Sequence, residues 1–149
     1  MSDTIFAIAR SGLDVERQRL ELIARNFANI GVSAAPGAAP YRPLRLVSGP
    51  RIEPAFPETL RHAPGAALPG RPAGTRTIAI DSLDIPPRLV RDAAHPHADA
   101  QGMVRYPGLD HAAEMALLVQ TLRTYEANVV MFNAARSMYL RALDIGGQS

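Results

Sequence analysis

The densest group of chemically capable side chains is His95-Pro96-His97-Ala98-Asp99, with His111 a short distance further on. In an extended segment positions 95, 97 and 99 project to one side. Two imidazoles and a carboxylate on one side form a donor set that metal hydrolases use to hold an ion and activate water. Pro96 restricts that geometry, and no second cluster of ligand-type residues stands elsewhere to complete a site. The plainer reading is a polar turn leading into a helix. A nucleophile elbow, a glycine-rich phosphate loop and paired-carboxylate spacing are all missing. Ser11-Gly12 and Ser48-Gly49 are ordinary dipeptides. The residues call for no cofactor and no small-molecule substrate; a metal-dependent hydrolase built on His95, His97 and Asp99 is the alternative from a different class.

Four asparagines offer another kind of chemistry. Asn26 and Asn29 lie near the end of one apolar-periodic segment, and Asn128 and Asn133 lie within another. Asparagine is a mediocre helix former, so the first pair fits helix-end fraying and capping. Amides set in an apolar stripe can instead bond across packed helices and fix their alignment.

Both segments have the spacing of helices that need a partner. Phe6, Ala9, Leu13, Glu16, Leu20, Ile23, Phe27 and Ile30 alternate steps of three and four, interrupted only by Glu16. Met115, Leu118, Leu122, Tyr125, Val129, Phe132, Arg136, Tyr139 and Leu143 repeat that rhythm, interrupted only by Arg136. Such stripes line one side of a helix. The first helix is expected over Asp3–Ile30, beginning at a Ser2 or Asp3 cap and stopping at Gly31; its length is about 42 Å. Gly12 inside it is either a tolerated weakness costing about 1 kcal/mol or a place of close helix approach. The second is expected over Asp110–Ile145, capped by Asp110, favoured by Glu114 near its positive end, stopped by Gly146-Gly147 and about 54 Å long. Leu117, Val119, Val130, Met131, Met138, Leu140 and Ile145 lie off its main seam, so one partner helix leaves apolar surface uncovered.

Every proline falls between these helices. Those from Pro36 to Pro72 exclude helix and any regular central strand. Tyr41–Ser48 reads as a short edge strand and His62–Gly74 as a mobile loop. From Thr75 onward Ile78 and Ile80 alternate with Thr77, Ala79 and Asp81, a half-buried strand. Pro86-Pro87 ends it, and Arg88–Arg91 and Met103–Tyr106 complete a small β module. The fold class is therefore mainly α with a small β module: an antiparallel, coiled-coil-like pair of terminal helices bracketing a loop-rich middle. The helical assembly domain takes residues 3–31 and 110–146; the β module takes 32–109, with a Pro/Ala-rich loop at 33–74.

Composition narrows the partners. All sixteen basic residues are arginine, offset by fourteen acids to a net charge of +2, and they are scattered along the chain. A nucleic-acid binder concentrates them on one face or in one run. Cysteine is absent, which excludes disulfides and thiolate metal sites and suits entry into an oxidising space. No apolar run approaches the roughly 20 residues that span a bilayer. Met1–Arg10 lacks the basic region, apolar core and cleavage site of a secretory signal.

Arg19-Leu-Glu-Leu-Ile-Ala-Arg-Asn-Phe-Ala-Asn29 resembles the N-terminal signature of flagellar rod, hook and hook-associated proteins, with Arg25 in place of a small residue and Phe27 in place of leucine. The order from His95 through Tyr106-Pro-Gly-Leu-Asp110, then Glu114-Met115, Arg123-Thr-Tyr-Glu-Ala-Asn-Val129 and Arg136-Ser-Met138, is similar to the proximal-rod members of that family. Gly108 and Met103 depart from it, since the family usually has asparagine and an aromatic there. The resemblance covers Asp3–Ile30 and Thr75–Gly146. It implies a non-enzymatic subunit of the periplasm-spanning basal-body rod, a hollow torque-transmitting shaft. It also implies export through the flagellar type III apparatus without a cleaved signal peptide, and assembly with copies of itself and other rod subunits. The nearer alternative is a sibling axial protein, either the other proximal-rod component or a hook-junction protein. The surfaces expected to make the contacts are Phe6, Leu13, Leu20, Ile23, Asn26, Phe27, Asn29 and Ile30 on the first helix. On the second they are Met115, Leu118, Leu122, Tyr125, Asn128, Val129, Phe132, Asn133, Tyr139 and Leu143.

Overall fold

The structure, a computed structural model, describes residues 2–53 and 71–147. Two helices enclose four strands in the order α1 (Ser2–Asn29), β1 (Leu44–Glu53), β2 (Arg71–Ser82), β3 (Arg88–Arg91), β4 (Met103–Tyr106) and α2 (His111–Gly146). Each helix end lies within one residue of its expected position, ordinary variation for a fraying terminus. Asp110 caps α2 from extended backbone, its Oδ1 accepting the Ala112 amide at 2.9 Å. At the other end the Gly147 amide donates to the Leu143 carbonyl at 2.8 Å. Among the described residues no helix is long and apolar enough to cross a membrane.

The β module is two separate antiparallel pairs, β1 with β2 and β3 with β4. Strands β3 and β4 have the expected bounds, and the segment after α1 joins them where the Ala34 amide donates to the Arg105 carbonyl at 2.9 Å. The β1–β2 ribbon is longer than expected. The edge strand foreseen at Tyr41–Ser48 starts at Leu44 and continues through Pro50 to Glu53. Arg71–Gly74, foreseen as part of a mobile loop, belongs to β2; the remainder of that loop lies outside the described residues. A two-stranded ribbon has only edge strands, so each can carry a proline where a central strand could not. The register slips at Val47/Ser48 and again at Pro50/Ile52.

The alternation in β2 is real but its buried parity is the opposite of the one implied by its isoleucines. Ile78 and Ile80 are 59% and 52% exposed. The residues turned toward α1 include polar ones: Thr77 Oγ1 donates to Gln18 Oε1 at 2.8 Å, and the Thr75 amide donates to Ser11 Oγ at 3.0 Å. These bonds satisfy groups that burial would otherwise leave unpaired. Beside them Val15 and Leu22 pack with Leu46, and Leu44 closes the cluster. Helix α1 is therefore covered on two sides, by the ribbon and by α2.

Candidate assembly interface

The helices and the ribbon meet at a buried polar knot. Glu114 of α2 and Asn26 of α1 are both fully buried. Asn26 Nδ2 donates to Glu114 Oε1 at 2.7 Å and to the Leu44 carbonyl at 3.0 Å, while its Oδ1 accepts from the Leu44 amide at 2.9 Å and from the Tyr41 hydroxyl at 3.0 Å. Arg45 of β1 grips the carboxylate with both guanidinium nitrogens, Nη1 to Oε1 at 2.8 Å and Nη2 to Oε2. Such a fork fixes orientation as well as charge. Burial pushes the Tyr41 hydroxyl above its ordinary pKa; the nearby Arg25 opposes that shift and Glu114 adds to it. The phenol therefore stays protonated and able to donate at neutral pH. Through these bonds Asn26 ties α1 simultaneously to α2 and to the first residue of β1.

Contacts run in opposite order along the two helices. Phe6 meets the rings of Phe132 and Tyr139 edge-on, with centroids 5.4 and 6.0 Å apart. Gly12 backs onto Asn128 so closely that a Cβ would lie 3.0 Å from the amide nitrogen, which makes this the place of close approach. Phe27 meets His111 at 5.3 Å.

The face of α2 turned inward follows Glu114, Leu118, Thr121, Tyr125, Asn128, Phe132 and Ala135, with Glu114, Thr121 and Ala135 buried. The stripe read from the sequence shares Leu118, Tyr125 and Phe132 with this face. At the alternate positions it runs one residue later: Met115 beside Glu114, Leu122 beside Thr121, Val129 beside Asn128 and Arg136 beside Ala135. Small or internally satisfied groups occupy the inside, and the Thr121 hydroxyl donates to the Leu117 carbonyl at 2.8 Å. Met115, Leu122 and Arg136 turn outward, Met115 43% and Leu122 42% exposed, while Val129 stays half-buried.

On α1, Ile23 and Asn26 are buried, and Phe6, Leu13, Leu20, Phe27, Asn29 and Ile30 are half-buried. Asn29 bonds only locally, to the Arg25 carbonyl at 2.8 Å among the described contacts. On α2, Leu118, Tyr125, Asn128, Val129 and Phe132 are half-buried; Met115, Leu122, Asn133, Tyr139 and Leu143 are exposed. Sequence reasoning missed a second α1 stripe, Ser11, Val15, Gln18 and Leu22, although its spacing of four, three and four carries the same helical signal. It also missed the knot, because nothing local links Tyr41 and Arg45 to a carboxylate 69 residues beyond Arg45.

The His95–Asp99 segment forms a turn. Asp99 Oδ1 accepts the amides of Gln101 at 2.9 Å and Met103 at 2.8 Å. His97 Nδ1 is paired with Ser33 Oγ at 2.8 Å, and His95 Nδ1 accepts the His97 amide at 3.0 Å. Among the described residues no three His, Asp or Glu side chains are grouped as metal ligands.

The described residues thus form two long terminal helices, packed together and on a small β module, with an apolar face of α2 left exposed. Residues 100–145, which are β4 and most of α2, match the family described as flagellar basal body rod FlgEFG protein C-terminal. Over nearly its whole length it is similar to flagellar basal-body rod proteins FlgC: 34% identical to that of Escherichia coli O6:H1, covering 95% of this chain and 96% of the relative. It is 33% identical to that of Bacillus subtilis, covering 93% and 94%, and 32% identical to that of Borreliella burgdorferi, covering 93% of each. The chain belongs to the FlgC family of flagellar basal-body rod proteins. Its role is that of a structural protein of the rod.

Proposed function

We propose that the terminal helices are the assembly domain, residues 3–31 with 110–146, and that they form an antiparallel coiled-coil-like pair which packs against the pairs of neighbouring rod subunits. The observation that carries this reading is the outward face of α2. Met115, Val119, Leu122, Val130 and Met131 are between 42% and 66% exposed while the helix is already packed along its other side. Between Met115, Val119, Arg123 and Ala127 that face forms a shallow, mostly apolar trough. Burying such side chains contributes roughly 25 cal/mol per Å² of apolar surface before ordering costs. Repetition of a contact that does not close on itself produces a helical tube. In this reading the chain is a non-enzymatic part of the periplasm-spanning hollow shaft that transmits torque. It binds copies of itself and other rod subunits, with residues 32–109 as the outer module. It reaches its place through the flagellar type III export apparatus without a cleaved signal peptide, a route with which the absence of cysteine is compatible.

Leu122→Asp tests this. The side chain is 42% exposed in the isolated chain, so the variant should keep its fold at a cost of about 1 kcal/mol. A charge buried between subunits, in contrast, is prohibitive. Cells carrying only this variant should export the chain yet fail to build rods or swim; normal swimming would refute the helix-face contact.

A further inference from the structure

Cysteine is absent, so the sulfur chemistry of the chain rests on its five methionines. Met103, Met115, Met131 and Met138 lie within the described residues. Met103 is half-buried in β4, whereas on α2 Met131 is 65%, Met138 62% and Met115 43% exposed. Met131 and Met138 are seven residues apart and so share one flank of the helix. One turn away from them on that flank stand Ala127, Ala134 and Ala142, all exposed and too short to shade a thioether. The two most accessible sulfurs therefore lie together on the outward side of α2, and the sulfur of the β module is the better covered one.

A thioether in water reacts with a peroxide. Its lone pair forms an S–O bond as the O–O bond breaks and water leaves; sulfur is oxidised by two electrons and the peroxide is reduced. The sulfoxide is polar and chiral, and thiol-dependent sulfoxide reductases return it to the thioether, releasing water and leaving a disulfide on the reductant. On a free subunit the added oxygen at position 131 or 138 stays hydrated, so the fold is undisturbed. Inside a subunit contact the same oxygen is stripped of water without a partner, and the adaptable apolar packing of methionine is lost.

We propose that Met131 and Met138 form a reversible oxidation site: a peroxide acting on the free subunit holds it out of the rod, and a sulfoxide reductase readmits it. The site rests on the rod reading above and adds a modification that acts on the outward face of α2 before assembly. With no thiol in the chain to react first, the oxidant reaches this face directly.

The full-length chain is treated with dilute hydrogen peroxide and mapped by peptide mass spectrometry. Met131 and Met138 should each gain one oxygen severalfold faster than Met103, the melting temperature of chain oxidised only on α2 should be unchanged, and a sulfoxide reductase with dithiothreitol should remove both oxygens. In isolated basal bodies the same two positions should react severalfold more slowly. In cells, Met131→Gln with Met138→Gln, which sets a polar amide of similar length in place of each sulfoxide, should be exported but enter rods severalfold less than Met131→Leu with Met138→Leu. The leucine pair should also lose less swimming to peroxide than the unsubstituted chain, each strain measured against its own untreated culture. Met103 reacting as fast as the α2 pair, or a glutamine pair that enters rods as well as the leucine pair, overturns the oxidation site and leaves the rod reading standing. Equal rates in free chain and basal bodies overturn the site and the helix-face contact together. Basal bodies that lack the unsubstituted chain overturn the rod reading itself.

Discussion

Glu114 is the residue on which the internal architecture turns. A carboxylate with no exposure stays in the interior because Arg45 and Asn26 satisfy it, and those two partners bring β1 and α1 to the same point. Removing the carboxylate takes one partner from the buried Asn26 amide and both carboxylate oxygens from Arg45, whose side chain is 30% exposed and so is only partly desolvated. Glu114→Ala is therefore expected to lower stability by about 2 kcal/mol, measured by urea unfolding of the purified chain. A loss below about 0.5 kcal/mol, the range of ordinary surface changes, would show that the knot does not join the elements. The sequence marks Glu114 only as a favourable charge in the first turn of a helix. Its second role was hidden because an isolated Glu in an apolar helix looks the same whether it faces solvent or a buried arginine.

At the scale of the elements, helix existence and bounds were legible, as were β3 and β4, because periodicity and the Pro, Gly and Asp punctuation are local signals. The phase of the α2 stripe and the buried parity of β2 were not. Hydrophobicity ranks Met115 and Leu122 above Glu114 and Thr121, and Ile78 and Ile80 above Thr77. Packing against α1 selects for size and hydrogen bonding instead, and it places the smaller or satisfied residue inside. Gly12 shows the same selection from the other helix. Gly12→Leu should force the helices apart and cost about 1–3 kcal/mol, although leucine is the better helix former. Truncating the opposing amide with Asn128→Ala should recover part of that loss in a double-mutant cycle of thermal unfolding. If Gly12→Leu raises the melting temperature, the glycine is only a weak point in the helix and no close approach exists.

At the scale of the whole molecule, the subunit contact proposed above would cover the outward face of α2, where Met115, Val119, Leu122, Val130 and Met131 are between 42% and 66% exposed. Val130, 66% exposed, lies in the middle of that face and reports on it directly. With Val130→Cys as the sole thiol of the chain, labelling should be fast in the free protein and at least about tenfold slower in isolated rods, the protection that a buried subunit contact confers. Equal labelling rates in both would contradict assembly through this face.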